Sequence, residues 1–283
     1  MHITSQNNPS VRLAMSLALK KQRDATGLFL VEGPNMIREA LLQGFAFQTL
    51  FFSKEAMERP RGQELHLIQS SANDAKTCPD MLVLDAAAFK KVSQTETSQG
   101  IAGIAKKRYS TEQDLFFSQG SNVLVLDRIQ DPGNIGTLLR TAEAAGFTGV
   151  LFMKGCGDPY GPKAVRAASG ALLRLPFIFV DEDAAAIEML KRNKKRLFVT
   201  TADATRAYYD CDIASDAAIV IGNEGNGVSQ VWNDGADMRL AIPMAGQAES
   251  LNAALAGGII MYEAFRQKQA ALHRIDGGRT KHD

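Results

Sequence analysis

The sequence predicts an α/β protein in two parts, with a parallel sheet in the C-terminal part. Its 283 residues are enough for about two domains, at roughly 150 residues per domain. The C-terminal part alternates short, unbroken apolar runs with helical segments, which is typical of a parallel sheet covered by helices on both faces. Between the two parts, residues 106–120 are polar and lack apolar periodicity. We therefore place a domain boundary there.

Composition and charge narrow the functional class. Lys and Arg total 32 against 31 Asp and Glu, so the surface is not uniformly basic, although a local basic surface would still suit a nucleic-acid partner. No apolar run reaches 18 residues and the N-terminal segment lacks the apolar core of a signal peptide, so we expect a cytoplasmic protein without a membrane partner. The three cysteines are widely spaced and the four histidines are scattered, which argues against disulfides and against a metal site.

Apolar periodicity and turn signals predict a mixed α/β unit over residues 1–105. We expect a helix over residues 9–23, a strand at Phe29–Val31, a helix from about Asn35 to Gly44, a strand at Thr49–Phe52, a strand and short helix within 81–92, and a strand at Ile101–Ala105.

The C-terminal part predicts six strands, at Val123–Leu126, Gly149–Met153, Phe177–Val180, Leu197–Thr200, Ala218–Ile221 and Arg239–Ile242. Helices are expected at about 134–145, at 184–193, and from near Ser250 to about residue 270. Ligands of parallel sheets bind outside the carboxyl ends of the strands, so the residues that follow the strands are the candidates for function.

The segment after the first of these strands combines a tight turn with a helix start. Pro132 and Gly133 force the turn. Asn134 lies near the start of the helix, and Arg140 follows six residues later. Taken alone, Asn134 fits the N-cap of the helix as well as it fits a functional role. Arg140, taken alone, fits a salt-bridged helix residue.

The segment Gly222–Gly227 places three glycines after a strand, so the backbone there can approach a ligand closely. Its GxxGxG spacing differs from the GxGxxG of a dinucleotide site and from a P-loop, which carries a lysine. Glu224 suits a cationic or hydroxyl-bearing ligand. Taken alone, the segment is an ordinary Asn-Gly turn.

A third segment follows the last strand and leads into the final helix. Ser250 is a candidate N-cap, and Asn252 lies in the first turn. The small residues Ala253–Gly258 allow another backbone or another subunit to pack closely.

Together the three segments resemble the signature motifs of the SpoU/TrmH class of RNA 2′-O-ribose methyltransferases, within the SPOUT superfamily. The matching residues are Asp131–Gly136 with Arg140, Gly222–Gly227, and Ile242–Met244 with Glu249–Asn252, and Pro162–Ala171 is also similar to this family. The resemblance covers about residues 121–270. Residues 1–108 resemble the family's RNA-binding extension of the ribosomal-protein L30e type, followed by a linker at 109–120. Residues 271–283 are predicted to form a polar tail.

The resemblance implies a deep trefoil knot that holds S-adenosylmethionine, formed by the loops after the strands that end near Thr200, Ile221 and Ile242. No metal is required for the transfer. Because a guanidinium hardly deprotonates in proteins, we expect Arg140 to orient a phosphate and polarise the ribose hydroxyl rather than to act as a literal base. The implied catalytic residues are Asn134, Arg140, Glu224, Ser250 and Asn252, and the implied cofactor-binding residues are Thr200, Thr201, Gly222, Asn223, Ile242 and Leu251.

The family resemblance also implies a homodimer, in which the arginine often completes the partner's site, and an RNA substrate. We expect 23S rRNA, with a guanosine as the target, rather than tRNA. The alternatives are a tRNA methyltransferase, a non-catalytic RNA-binding or ribosome-assembly protein with the same fold, and an oxidoreductase, which the missing GxGxxG disfavours. The candidate RNA contacts are Lys20, Lys21, Arg23, Lys106, Lys107 and Arg108.

Overall fold

The computed structural model describes residues 2–3, 8–58, 62–73, 79–116, 118–247 and 250–279. The chain forms two compact units. The first comprises Met1–Arg108 and Asp158–Leu173, and the second comprises Tyr109–Gly157 and Arg174–Asp283. The sequence-based division placed Asp158–Leu173 with the C-terminal domain, whereas in the structure this segment clusters with the N-terminal residues.

The chain up to Lys106 contains five strands and six helices among its described residues. They are β1 (His2–Ile3), α1 (Pro9–Ser16), α2 (Lys20–Thr26), β2 (Leu28–Glu32), α3 (Pro34–Leu42), β3 (Phe47–Ser53), α4 (Lys54–Met57), α5 (Gly62–Asn73), β4 (Asp80–Leu84), α6 (Ala86–Val92) and β5 (Ile101–Lys106).

The rest of the described chain alternates strand and helix. Its elements are α7 (Glu112–Leu115), β6 (Val123–Asp127), α8 (Pro132–Ala144), β7 (Gly149–Met153), α9 (Pro162–Ala168), α10 (Ala171–Arg174), β8 (Phe177–Val180), α11 (Asp183–Arg192), β9 (Arg196–Thr200), a 3-10 turn (Tyr208–Asp210), β10 (Ala217–Gly222), α12 (Gln230–Gly235), β11 (Met238–Leu240) and α13 (Ala253–Arg279).

The first unit contains a five-stranded mixed sheet in the order β1-β4-β3-β5-β2. Strands β1, β4 and β3 are parallel, and β5 runs antiparallel to both β3 and β2. Helices α1 and α6 cover one face of this sheet, where Val11, Leu17, Phe51 and Phe89 belong to one buried apolar cluster. Because strand side chains alternate between faces, Phe29 and Leu50 point to the opposite face.

The prediction of a single helix over residues 9–23 is wrong, because this segment forms two separate helices, α1 and α2. Leu19 is extended, with φ −89° and ψ 129°, so the helix cannot continue through it. The side chain of Arg23 stabilises the break by donating hydrogen bonds to the carbonyls of Leu17 (2.7 Å) and Ala18 (2.9 Å).

Arg23 is also wrong as an RNA contact, because it is only 4% exposed. Its Nε donates to Asp158 Oδ2 at 2.8 Å, and both side chains of this ion pair are buried. A buried charge must be paired, and the Arg23 guanidinium is already paired with Asp158. It is therefore not available to bind a phosphate.

Replacing Arg23 by methionine should destabilise the protein by about 3–5 kcal/mol, because the Asp158 carboxylate would stay buried without its cation. Urea unfolding of the two proteins measures the difference. Lys20→Met is the matched control, since Lys20 is exposed and its loss should change stability by no more than about 0.5 kcal/mol. Equal effects of the two substitutions would contradict the buried pair.

The second unit contains a six-stranded sheet in the order β11-β9-β10-β6-β7-β8, and every pairing is parallel. Strands β6 and β7 are buried along their whole length, as unbroken apolar strands in such sheets are. Helices α7, α11 and α12 contribute Leu115, Leu190 and Trp232 to the buried cluster on one face. On the other face, α8 packs against α13.

The last helix departs from its expected limits. It begins at Ala253 rather than near Ser250, and its described part reaches Arg279 rather than about residue 270. The cap is Asn252, whose Oδ1 accepts hydrogen bonds from the backbone N–H groups of Ala254 (3.0 Å) and Leu255 (3.2 Å). Ser250 is therefore wrong as the N-cap. No helix among the described residues has the length and apolar character needed to cross a membrane.

Candidate functional site

All six predicted cofactor-binding residues line one cavity of about 290 Å³ in the second unit. The cavity lies beyond the carboxyl ends of β9, β10 and β11, where a parallel sheet binds its ligands. The predicted residues on its wall are Thr200, Thr201, Gly222, Asn223, Ile242 and Leu251, and the wall also includes Glu224 and Ser250. Further residues on the wall, none of them among the predicted catalytic or cofactor-binding residues, are Ala202, Ile221, Gly227, Leu240, Met244, Ala253 and Ala256.

Hydrogen bonds between neighbouring strands hold the cavity wall in place. Thr200 Oγ1 donates to the carbonyl of Val220 at 2.9 Å, which ties the end of β9 to β10. The backbone N–H of Thr201 donates to the carbonyl of Leu240 at 3.0 Å, which ties it to β11. The wall therefore combines a fixed polar edge with apolar side chains, as in cofactor pockets.

Residues 222–228, called here the glycine loop, fold into a tight turn that closes on itself. The backbones of Asn223 and Gly227 exchange two hydrogen bonds, of 2.8 and 3.2 Å. A Cβ on Gly222 would lie 2.4 Å from backbone atoms of Gly227 and Val228, closer than real Cβ atoms come. The glycine at position 222 is thus required by the loop's own backbone, whereas the sequence suggested approach to a ligand.

The side chain of Asn223 organises the glycine loop. Its Oδ1 accepts hydrogen bonds from the N–H groups of Gly225 (2.9 Å) and Asn226 (3.2 Å), and its Nδ2 donates to the carbonyl of Arg128 at 3.1 Å. Both ends of the amide are used within the protein. Asn223 therefore shapes the cavity wall through bonds within the protein.

Three predicted catalytic residues form one hydrogen-bonded chain. Asn134 Nδ2 donates to Glu224 Oε1 in a short contact, and Asn252 Nδ2 donates to Asn134 Oδ1 at 3.0 Å. Since Asn252 also caps α13, the chain links the glycine loop on the cavity wall to the starts of α8 and α13. Ser250 lies on the cavity wall, and Glu249 lies outside the described residues.

The alternative in which Asn134 caps α8 is wrong. The N-cap is Asp131, whose Oδ1 accepts the backbone N–H of Asn134 at 2.9 Å, and Pro132 occupies the first helical position. The Asn134 side chain is therefore free to join Glu224 and Asn252.

Arg140 stands apart from this chain. Its side chain is exposed on α8 and makes no hydrogen bond or ion pair with another described residue. Six residues along an α-helix rotate the side chain to a different side from Asn134. Within one chain, the structure does not bring Arg140 to the other predicted catalytic residues.

The small residues of α13 pack against α8 of the same chain. A Cβ on Gly257 would lie 2.5 Å from Leu138 Cδ2, and one on Gly258 would lie 3.7 Å from Thr141 Cγ2. The close packing that the sequence predicted here is thus made within the chain.

Four of the six predicted RNA contacts, Lys20, Lys21, Lys106 and Arg108, are exposed. Lys107 is not, since its side chain is 8% exposed, with Nζ 2.9 Å from Asp24 Oδ1 and 5.4 Å from the centre of the Tyr160 ring. That hydrogen bond also lowers the pKa of Asp24. Lys107 is therefore wrong as a free phosphate ligand. Arg108 is exposed, and its guanidinium lies 4.2 Å from the centre of the Phe45 ring.

Asp127 and Arg128, which the sequence did not single out, connect the sheet to the glycine loop. Asp127 is 1% exposed at the end of β6, and both of its oxygens accept hydrogen bonds from Arg128, at 2.7 Å each. These hydrogen bonds raise the pKa of the Arg128 guanidinium. The local sequence does not indicate the role of this pair, because polar residues are common where a strand ends and a turn begins.

Comparison with known proteins identifies the family. The sequence model of the SpoU rRNA Methylase family matches residues 121–262, and that of the MRM3-like substrate binding domain matches residues 8–103. The chain is 31% identical over 266 residues to the 23S rRNA (guanosine(2553)-2'-O)-methyltransferase RlmP of Bacillus subtilis, covering 92% of this chain and 97% of RlmP.

The chain belongs to the SpoU rRNA methylase family. An AdoMet-bound rRNA methyltransferase from Sinorhizobium meliloti superposes with a TM-score of 0.84 and 29% identity, covering 94% of this chain and 97% of that one. The SpoU methyltransferase AviRb from Streptomyces viridochromogenes gives a TM-score of 0.82 and 25% identity, covering 93% and 99%. The family resemblance and the α/β fold with a parallel sheet are confirmed.

The cavity fits the cofactor that SpoU methylases of known structure bind. The sulfonium of S-adenosylmethionine is a cation, and the Glu224 carboxylate lies on the wall. Apolar side chains, among them Leu240 and Ile242, offer the surface that an adenine ring needs, beside polar groups that fix orientation. Among the described residues, no cluster of three or more His, Cys, Asp or Glu side chains could hold a metal ion.

Cys156 is predicted to be unreactive in the folded protein, because burial raises its pKa to about 11. Iodoacetamide should label it about 100-fold more slowly in native protein than in urea at pH 7.5, since only the thiolate reacts. Peptide mass spectrometry measures both rates. The raised pKa stabilises the fold below the ordinary thiol pKa of 9.0, and this contribution is lost as the pH rises to about 11. Equal labelling rates would contradict the buried thiol.

Proposed function

We propose that this chain is an S-adenosylmethionine-dependent methyltransferase that methylates a ribose 2′-hydroxyl in 23S rRNA, with a guanosine as the target. The observation that carries this proposal is the cavity whose wall residue Glu224 begins the hydrogen-bonded chain to Asn134 and Asn252. Support for the substrate comes from RlmP, which is named for a 23S rRNA guanosine.

The cofactor would be held by the cavity wall, in particular by Thr200, Thr201, Gly222, Ile242 and Leu251. When bound, S-adenosylmethionine supplies an activated methyl group on a sulfonium centre. The wall's part is to fix that group and exclude water, because positioning two reactants can supply roughly 7–11 kcal/mol in favourable cases.

The polar chain and Arg140 would act on the RNA. Glu224 and Asn252 hold the Asn134 amide in one orientation, so Asn134 presents fixed polar atoms next to the cavity wall. Ser250 helps to position the ribose. Arg140 binds the neighbouring phosphate and polarises the hydroxyl, which a permanently charged guanidinium can do without losing a proton.

The protein would work as a homodimer, with Arg140 of one subunit completing the site of the other. The support is the isolation of Arg140 from the polar chain of its own subunit. Leu255 and Tyr262, seven residues apart on α13, are 54% and 50% exposed and offer an apolar stripe for the partner. Sedimentation that finds a stable, active monomer would overturn this assembly.

The remaining assignments belong to the same proposal. The second unit carries a deep trefoil knot, supported by its match to the SpoU rRNA Methylase family. Residues 1–108 bind RNA, residues 109–120 link the domains and residues 121–270 carry the methyltransferase, supported by the two family matches. The place of action is the cytoplasm, where bacterial rRNA is made and modified.

RNA would meet the helices of the first unit that carry exposed cations and few acids. Helices α1 and α6 pack together over one sheet face. Helices α3, α4 and α5 instead carry acidic side chains, including Glu39, Glu55 and Glu64. The exposed cations of α1, α2 and α6 are Arg12, Lys20, Lys21, Lys90 and Lys91.

Replacing Lys90 and Lys91 together by alanine should weaken RNA binding and lower the slope of log Kd against log salt by about one per lost phosphate contact. Fluorescence anisotropy with an rRNA fragment at several salt concentrations measures this. Lys54→Ala on α4 is the matched control and should leave the slope unchanged. An equal slope in all three proteins would reject this surface.

The function is tested by incubating purified protein with methyl-labelled S-adenosylmethionine and either ribosomal RNA or tRNA. We expect label in 23S rRNA, recovered after nuclease digestion as a 2′-O-methylated nucleoside. Label in tRNA alone would replace the substrate by tRNA. Binding of RNA without transfer to either would favour a non-catalytic RNA-binding protein of the same fold.

A further inference from the structure

Arg128 occupies a backbone conformation that residues other than glycine rarely adopt. Its φ is +58°, in the left-handed region that is unfavourable for a residue with a Cβ. Such strain persists only where surrounding contacts over-determine the conformation, and it concentrates at functional sites. Contacts around Arg128 must therefore hold it in this conformation.

The guanidinium of Arg128 is held by a buried carboxylate. Its Nε and Nη2 donate to the two oxygens of Asp127 at 2.7 Å each, in the forked geometry that only arginine offers. The arginine side chain is 38% exposed and that of Asp127 is 1% exposed. Gly155, with φ +95°, leaves room for the arginine stem, since a Cβ there would lie 3.1 Å from Arg128 Cγ.

The Asp127–Arg128 pair contacts both ends of the glycine loop. At the start of the loop, Asn223 Nδ2 donates to the Arg128 carbonyl at 3.1 Å. At its end, Arg128 Nη2 lies 3.4 Å from the Gly227 carbonyl, and the N–H of Ser229 donates to Asp127 Oδ2 at 2.8 Å. The loop is thus anchored to the end of β6 by side chain, backbone and charge together.

We propose that Arg128, paired with Asp127, is a positioning residue that holds the glycine loop in the conformation that receives S-adenosylmethionine. The loop supplies Gly222, Asn223, Glu224 and Gly227 to the cavity wall. Its Glu224 also holds Asn134, so the same anchor sets the polar chain. This inference rests on the proposed function, because it assigns the cavity to that cofactor.

The test is Arg128→Gly, which removes the guanidinium and at the same time tolerates the positive φ. Lys194→Gly is the matched control. Lys194 is an exposed cation with φ +56°, and it precedes β9, whereas the cavity lies beyond the other end of that strand. Both variants lose a cation and relieve the same kind of backbone strain, so only the loop anchor differs between them.

Hydrogen exchange of the protein without cofactor is the first readout. The amides of residues 225–229 should exchange at least about tenfold faster in Arg128→Gly than in wild type, because a loosened loop opens more often. In Lys194→Gly their exchange rates should equal those of wild type. Calorimetric titration with S-adenosylmethionine is the second readout. Its Kd should rise about tenfold or more in Arg128→Gly only, as expected for lost charge-assisted hydrogen bonds.

Unchanged loop exchange, or faster exchange with an unchanged Kd, would overturn the inference. So would a loss of RNA affinity in Arg128→Gly with cofactor affinity intact, which would make Arg128 a phosphate contact instead. If Arg128→Gly does not fold, Arg128→Lys keeps the charge without the fork and should give the same changes to a smaller extent. Failure of the wild-type protein to bind S-adenosylmethionine would instead contradict the proposed function.

Discussion

Replacing Arg140 by alanine should lower kcat for methyl transfer on the order of 10²–10³-fold, while the Kd for S-adenosylmethionine stays unchanged. Arg140 does not line the cavity, and its exposed side chain makes no hydrogen bond or ion pair with another described residue that its loss would break. Its removal should therefore affect only the RNA side of the reaction. Single-turnover transfer to rRNA and calorimetric titration with the cofactor measure the two effects separately.

The matched control for Arg140→Ala is Arg192→Ala, which removes an exposed arginine paired with Glu112 in the same unit. That variant should keep full activity. Full activity in Arg140→Ala as well would refute the role assigned to this residue.

A mixing experiment decides whether Arg140 acts across the dimer. Arg140→Ala and Glu224→Ala should each be inactive alone. If the arginine of one subunit serves the other, mixed dimers contain one intact site, and an equal mixture should recover about a quarter of wild-type activity. No recovery after confirmed subunit exchange would place Arg140 in the site of its own chain.

Replacing Gly222 by alanine should weaken S-adenosylmethionine binding by about 100-fold, because the new Cβ would lie 2.4 Å from backbone atoms of Gly227 and Val228. A backbone clash cannot be relieved by rotating a side chain. The glycine loop must therefore shift, and the cavity wall shifts with it. Titration calorimetry of the folded variant measures the loss.

Gly225→Ala is the control for Gly222→Ala, since it lies in the same loop and its Cβ would meet only Asn223 Oδ1, at an ordinary 3.5 Å. Its cofactor affinity should stay within about threefold of wild type. If Gly222→Ala bound the cofactor as well as Gly225→Ala does, the tight closure of the loop would not matter for binding.

Local pattern predicted much of the second unit. The strands expected at Gly149–Met153 and Phe177–Val180 have those limits in the structure, because short unbroken apolar runs give a clear strand signal. Asp131 was a missed local signal, since Asp before Pro is a good helix start. The two-residue strand β1 carries no such signal, because it exists only through pairing with β4.

The geometry of the site could not be predicted from local pattern. The contacts of Asn134 with Glu224 and with Asn252 join residues 90 and 118 positions apart, so only the folded chain brings them together. Family resemblance supplied the names of the cavity residues. It did not supply the buried Arg23–Asp158 pair or the Arg128 anchor, because charge and sequence position do not show which partner an arginine finds in the folded chain.

In the cell, we expect this chain to methylate a ribose in 23S rRNA. The most direct test is mapping 2′-O-methylation at nucleotide resolution on total RNA from cells with the protein, without it, and with Arg140→Ala in its place. We expect one guanosine of 23S rRNA to lose its ribose methyl group in the second and third cases. Persistence of every ribose methyl group in cells lacking the protein would contradict the claim.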